Sequence, residues 1–199
     1  FPADSGATGW LAAIGVTFVI LRGQALLLLA AERSNRILAT LARRDPLTGA
    51  MNRSGLEQWL AQQSHGERRA ALLLVDIDHF KKLNDTLGHV AGDRTLRLFA
   101  DAVREQLRST DILARQGGDE FTIILPGVGV REAVRVAERL RGAFRAKRAD
   151  LAEIGLQPTL SIGVAEAELG GRELDDLLGE AGEALYRAKE EGRNRIVLA

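Results

Sequence analysis

The chemically informative feature of this 199-residue chain is acid placed at the ends of apolar runs. In LLLVDIDHF, Asp76 and Asp78 follow four consecutive apolar residues, and the period of two in a strand puts both carboxylates on one face. In RQGGDEFTIIL, Asp119 and Glu120 follow Gly117 and Gly118 and lead straight into a second apolar run. A glycine pair between strand-like runs marks a hairpin turn, because glycine accepts positive φ without steric cost. If the hairpin lies beside the first strand, Asp76 and Asp119 converge. An unpaired carboxylate at the edge of a core is costly, and hard oxygen ligands with no His or Cys nearby favour Mg²⁺ or Mn²⁺ over zinc. Taken singly, DID also reads as a solvated strand end and GGDE as an ordinary turn. Together they point to a metal site.

A divalent metal held by a few carboxylates leaves positions for phosphate oxygens, and donors for phosphate are present. Lys189 and Arg193 in YRAKEEGRN are spaced one helical turn apart, which is also the spacing of a solvated basic pair balancing Glu190 and Glu191. HFKKLND offers backbone N–H groups and Lys81 at a strand-to-helix turn, an anion cradle. Asn84 and Asp93 can read a purine edge, since the N1–H and N2 donors of guanine call for a carboxylate and its O6 for an amide.

The elements that must position these groups follow from periodicity. Strands are expected over RAALLLVDIDHF, DILARQ, EFTIIL, PTLSIGVAEA and RIVLA. Helices are expected over SGLEQWLAQQS, AGDRTLRLFADAVREQLR, VREAVRVAERLRGAF and LDDLLGEAGEALYRAKEEG, the last closed by Gly192 at its C′ position. One tight hairpin among alternating helices and strands makes the class α+β, with helices packed on an at least partly antiparallel sheet.

Composition narrows the function. The 27 basic and 27 acidic residues cancel, which with few aromatics gives no reason to expect nucleic acid as a partner. The absence of cysteine excludes a disulfide scaffold and thiolate metal sites.

Residues 1–44 differ from the rest. Trp10 to Ala31 is apolar over about the ~20 residues a bilayer requires. Arg22 within it costs roughly 2.5–3.5 kcal/mol on insertion scales. No basic residue precedes the run, whereas Arg33, Arg36, Arg43 and Arg44 follow it. That asymmetry predicts an inner-membrane span with the C-terminal side cytoplasmic; a buried or dimer-forming soluble helix is the competing reading. Leu27, Ala31, Ser34, Leu38 and Leu41 form a short coiled-coil-like seam that continues the long N-terminal helix. The chain starts at Phe1, and an upstream sensor region is expected.

The motifs DPLTGAMNR, DIDHFKKLNDTLGHVAGD, RQGGDEF, SIGVA and ALYRAKEEGRN, in that order from Asp45 to about Val197, resemble the successive signatures of the GGDEF family of diguanylate cyclases. The resemblance implies a domain at 45–199 with a palm-like (nucleotidyl cyclase/ferredoxin-like) fold. It also implies condensation of two GTP into cyclic di-GMP with release of two pyrophosphates, by two subunits that face each other as a homodimer. It further implies two Mg²⁺ or Mn²⁺ ions per site, held by Asp76, the Ile77 carbonyl and Asp119. Asp119 also takes the 3′-hydroxyl proton, assisted by Glu120. Asn84 and Asp93 contact guanine, and His89 lies at the substrate site. The backbone around His79 and Phe80, with Lys81, Lys189 and Arg193, contacts phosphate.

RSTD (Arg108 to Asp111), with Arg139 on the next helix, matches the inhibitory product site of the family, where cyclic di-GMP acts as inhibitor; an ordinary helix end is the alternative. Ala50 and Gly182 depart from the usual pattern, which has Leu and Asp at those places. A catalytically inactive GGDEF module that senses nucleotide or binds protein is the competing function, although such relatives usually lose the acids present here at 76, 119 and 120.

Overall fold

The computed structural model describes residues 10, 15, 17–18, 20–28, 43–63, 69–148, 157–170 and 174–199, and the chain divides into two units between 42 and 43. In the first unit residues 20–28 are helical, with Ile20, Leu21 and Leu26, Leu27 and Leu28 exposed. Among the described residues no helix is long and apolar enough to cross a membrane. The expected span over Trp10 to Ala31 lies in part outside the described residues, and so does the seam from Leu27 to Leu41, all but Leu27.

The second unit is built around the acid-tipped strand. This strand, β2 (Arg69–Ile77), sits inside a six-stranded sheet with β1 (Met51–Asn52), β3 (Ile112–Gly117), β4 (Glu120–Pro126), β5 (Leu160–Glu168) and β6 (Ile196–Leu198). The order is β1-β3-β4-β2-β5-β6. The pairs β2–β4, β2–β5 and β3–β4 are antiparallel, and the edge pairs β1–β3 and β5–β6 are parallel. The expected mostly antiparallel, palm-like α+β sheet is therefore present. The two-residue β1 and the parallel edges are additions that period-two patterning does not reveal.

β2 is apolar almost without alternation because both sides of the sheet are covered. On one side, α3 (His89–Arg104) and α4 (Val130–Lys147) bring Phe99, Val103, Leu140 and Phe144 against Leu73, Val75, Phe121 and Ile123. The Phe99 ring lies 4.5 Å from that of Phe121 and 5.6 Å, edge-on, from that of Phe144, geometries that aromatic quadrupoles favour. On the other side, α1 (Arg53–Ala61) and α5 (Leu174–Glu190) bring Leu56, Leu60, Leu177 and Ala181 against Leu72, Ile124 and Ala165. Gly163 makes that second contact close, since a Cβ there would stand 2.1 Å from the Ala181 carbonyl oxygen.

The helix expected over 91–108 is in fact preceded by a separate α2 (Phe80–Leu87), and α3 starts at His89 and stops at Arg104. Gly88, at φ 80°, breaks the two apart. The end of α5 is as expected. With Gly192 at C′ (φ 110°), the Arg193 N–H donates to the Ala188 carbonyl and the Gly192 N–H to that of Lys189, the two bonds of a Schellman motif.

Candidate active site

Three elements bring the acids together. β2 ends at Ile77, the β3–β4 hairpin places Glu120 opposite Asp76 in register, and Asp119 occupies the turn between Gly118 and β4. The turn is possible because Gly117 and Gly118 adopt φ of 155° and 53°. Asp76 is buried at 7% exposure, Asp119 is half-buried and Glu120 is exposed.

Burial pushes the Asp76 carboxyl above the ordinary range, and the charges of Asp119 and Asp78 add to this against the opposing hydrogen bond and charge of Lys189. Burial likewise pushes Asp119 up, with Glu120 adding to it. The hairpin register puts the Asp119 turn beside the end of β2, as the convergence of Asp76 and Asp119 requires, and both carboxylates are held in a place that disfavours their negative charge. The Lys189 Nζ donates to Asp76 Oδ2 at 2.5 Å, so an ammonium already sits where a cation is wanted.

The donor set can be tested for a metal. Among the described residues no group of three or more His, Asp and Glu is gathered closely enough to hold an ion. Two partly desolvated carboxylates, with the backbone carbonyl of Ile77 next to one of them in sequence, suit a hard cation that fills its remaining positions with water and phosphate oxygens. The residues fit Mg²⁺ or Mn²⁺ in that sense.

Asp78 does not share this role. The strand ends before it, and its side chain, 2% exposed, turns into the protein. It accepts from Thr159 Oγ1 (2.5 Å), Ser161 Oγ (2.6 Å) and the Asn194 N–H (3.1 Å). This is a satisfied buried carboxylate that ties β2 to β5 and to the turn after α5. The face it was expected to share with Asp76 would need the strand to run one residue further.

The phosphate donors are split. Phe80 is buried at the first position of α2, behind His79 in the left-handed region (φ 59°), and Lys81 is exposed. Lys189 is on the last turn of α5, but Arg193 lies beyond the helix in a turn with φ 62°. The one-turn helical spacing expected for this pair is thus replaced by the Schellman turn, which carries Arg193 off the helix.

Asn84 and Asp93 come from α2 and α3, which meet closely because a Cβ on Gly92 would lie 1.9 Å from Asn84 Oδ1. That oxygen is buried against Gly92 with no hydrogen-bond partner among the described residues. His89 is exposed at the start of α3.

Arg108, Asp111 and Arg139 form a second group. The Arg108 N–H donates to Asp111 Oδ2 at 2.8 Å, closing the turn, and the Arg108 guanidinium pairs with Glu132 at 3.0 Å. Arg139 donates to the Gln106 carbonyl at 3.1 Å. Asp111 Oδ1 is buried, with no hydrogen-bond partner among the described residues. This turn precedes β3, whereas the glycine turn follows it, so the strand separates the two groups by roughly 20 Å.

One positioning residue escaped the motif reading. Arg115 donates to the Gly118 carbonyl from Nε (3.0 Å) and Nη2 (2.6 Å), and from Nη1 to both oxygens of Asp45 (3.1 Å each). Asp45 in turn accepts from the Thr48 N–H and hydroxyl. Burial works against its charge, but Thr48 and Arg115 outweigh this and hold the carboxyl below the ordinary range. The start of the second unit is thereby clamped to the turn that carries Asp119. The DxxT spacing of Asp45 and Thr48 is the only local signal of it.

Comparison with known proteins fits this arrangement. The family model described as "Diguanylate cyclase, GGDEF domain" matches residues 42–195. Diguanylate cyclase DgcP of Pseudomonas aeruginosa is 40% identical over 160 residues, covering 78% of this chain and 24% of the relative. Response regulator PleD of Caulobacter vibrioides is 39% identical over 163 residues, covering 79% and 36%. The chain thus spans between a quarter and two fifths of the length of such curated relatives. The crystal structure of the GGDEF domain of DgcB from Caulobacter crescentus, in complex with c-di-GMP, superposes with a TM-score of 0.70 at 32% identity, covering 79% of this chain and 95% of that one.

Proposed function

This chain belongs to the GGDEF-domain diguanylate cyclase family, and from that premise we propose that it joins two GTP into cyclic di-GMP, releasing two pyrophosphates. The observation that carries the reading is the convergence of Asp76 and Asp119 at the glycine turn, with Lys189 on Asp76. Each subunit holds one GTP, and a homodimer sets the two face to face.

Asn84 and Asp93 take the guanine edge, the Asp93 carboxylate accepting from its N1–H and N2 donors and the Asn84 amide donating to its O6. The α2 N-terminal backbone at Phe80, with Lys81, Lys189 and Arg193, orients the phosphates, and His89 borders the nucleotide. Asp76, the Ile77 carbonyl and Asp119 would hold two Mg²⁺ or Mn²⁺ ions, which when bound neutralise phosphate charge and acidify the attacking hydroxyl. Asp119, raised by burial, takes the 3′-hydroxyl proton, with Glu120 beside it. Lys189 leaves Asp76 for phosphate as substrate enters. Product binding at Arg108, Asp111 and Arg139 inhibits turnover. The upstream apolar segment holds the cytoplasmic domain at the inner membrane, supported by the run to Ala31 and the arginines that follow it.

The test is pyrophosphate release from GTP, and from ATP as the control, in Mg²⁺. Release with GTP alone supports the reading, and no release with either nucleotide returns the chain to a nucleotide-sensing or protein-binding role.

A further inference from the structure

Three arginines away from the reacting acids line one cavity of about 380 Å³. Arg141, Arg145 and Arg148 follow one another on a single face of α4 and the residue that caps it. Arg141 is accounted for: it pairs with Glu138 at 2.9 Å and donates to the carbonyl and Oδ1 of Asn194 at 2.7 and 3.1 Å. Among the described residues Arg148 donates to neutral acceptors, the carbonyls of Gln157 and Pro158. Arg145 makes no hydrogen bond or ion pair among the described residues. Among the described residues, the charges of Arg145 and Arg148 in this concavity thus have no acidic partner. Burial, and then the charge of Arg145, pushes the Arg148 guanidinium below its ordinary value.

Cations at a helix C-terminus complement its dipole, which accounts for basic residues here but not for a cavity around them. Gly142 is the second observation. It sits inside an 18-residue helix, where glycine costs about 1 kcal/mol relative to alanine. A Cβ there would meet nothing within 4 Å among the described residues, whose packing does not require the glycine. Its bare backbone is instead part of the cavity lining.

We propose that this cavity is a binding site for a small phosphate-bearing anion, held by Arg145 and Arg148 against the bare backbone of Gly142. Guanidinium forks match phosphate oxygens in geometry, two guanidinium charges match a phosphate dianion, and the volume falls in the range of small-molecule sites. Through Arg141 the site adjoins the turn after α5 that carries Arg193. Asn194, which Arg141 holds, follows Arg193 and donates to Asp78. Both Arg193 and Asn194 have positive φ (62° and 48°), which the surrounding bonds must sustain. An anion that draws Arg141 away from Asn194 loosens that turn and is felt at Arg193. Binding here does not depend on the reaction proposed above.

The experiment is an NMR titration of the chain with inorganic pyrophosphate, without divalent metal, following backbone amides. Saturable shifts at Gly142 and Asn194 are expected at millimolar anion. The Arg145→Gln variant should weaken them about tenfold or more, the loss of one charge-assisted bond. Gly142→Leu, which fills the floor and alters no charge, should block them. A still Gly142 amide, identical titrations in wild type and Arg145→Gln, or shifts confined to Phe80 and Lys81 would each overturn the proposal.

Discussion

The Lys189 ammonium lies 2.5 Å from Asp76 Oδ2 in a site where burial and two neighbouring acids oppose the carboxylate charge. The lysine therefore competes for the place a divalent cation would take. Replacing it by methionine leaves Asp76 without a counter-charge, and Mg²⁺ should then raise the melting temperature more in Lys189→Met than in wild type. Thermal melts with and without Mg²⁺ check this. An equal or smaller rise in the variant would separate Asp76 from metal binding.

Asp119 is held in a place that disfavours its charge, so Asp119→Asn should abolish product formation while the melting temperature stays level or rises. Near wild-type turnover in Mg²⁺ would remove Asp119 from the chemistry. A large fall in melting temperature would make its role structural.

The Asp45–Arg115 clamp makes a prediction about pH. A carboxyl whose folded pKa is lowered contributes stability that is present above its unfolded pKa and is lost as pH falls through the folded one. Asp45→Asn should thus cost about 1–3 kcal/mol at neutral pH, and its deficit should shrink as the pH drops below the usual carboxylate range. Chemical unfolding of both proteins across that range is the measurement; a deficit independent of pH would show that the charge of Asp45 is idle.

Two glycines should respond in opposite directions. At Gly182 a Cβ would meet only Leu74 Cδ1, at 3.8 Å, so Gly182→Ala should stabilise the fold by about 0.5–1 kcal/mol. At Gly163 a Cβ would collide with the Ala181 carbonyl, and Gly163→Ala should destabilise by about 1–3 kcal/mol or more. Equal stabilities in denaturant titrations would mean that α5 is not packed on β5 as described.

If Arg108 and Asp111 hold product, added cyclic di-GMP should lower the initial rate of the wild type and not that of Arg108→Ala, whose uninhibited rate stays near normal. Overlapping inhibition curves would return this turn to an ordinary helix end.

What the sequence made legible was local. Apolar runs, the glycine turn, the C′ glycine and the acids at strand ends are written in consecutive residues, and the hairpin register then made Asp76 and Asp119 meet. What it hid depends on distant partners. Asp78 is a structural group because Thr159, Ser161 and Asn194 converge on it from some eighty or more positions later. Arg115 acts through Asp45, seventy residues earlier. Arg193 looked helical from its four-residue spacing to Lys189, although Gly192 at C′ already placed it beyond the helix.

The central claim is that this chain makes cyclic di-GMP with the acids at its glycine turn. It is tested most directly by chromatographic identification of the product after incubation with GTP and Mg²⁺, for wild type and Asp119→Asn side by side. The account predicts cyclic di-GMP from the wild type and none from the variant. Intact GTP in both reactions, or the same product from both, would contradict it.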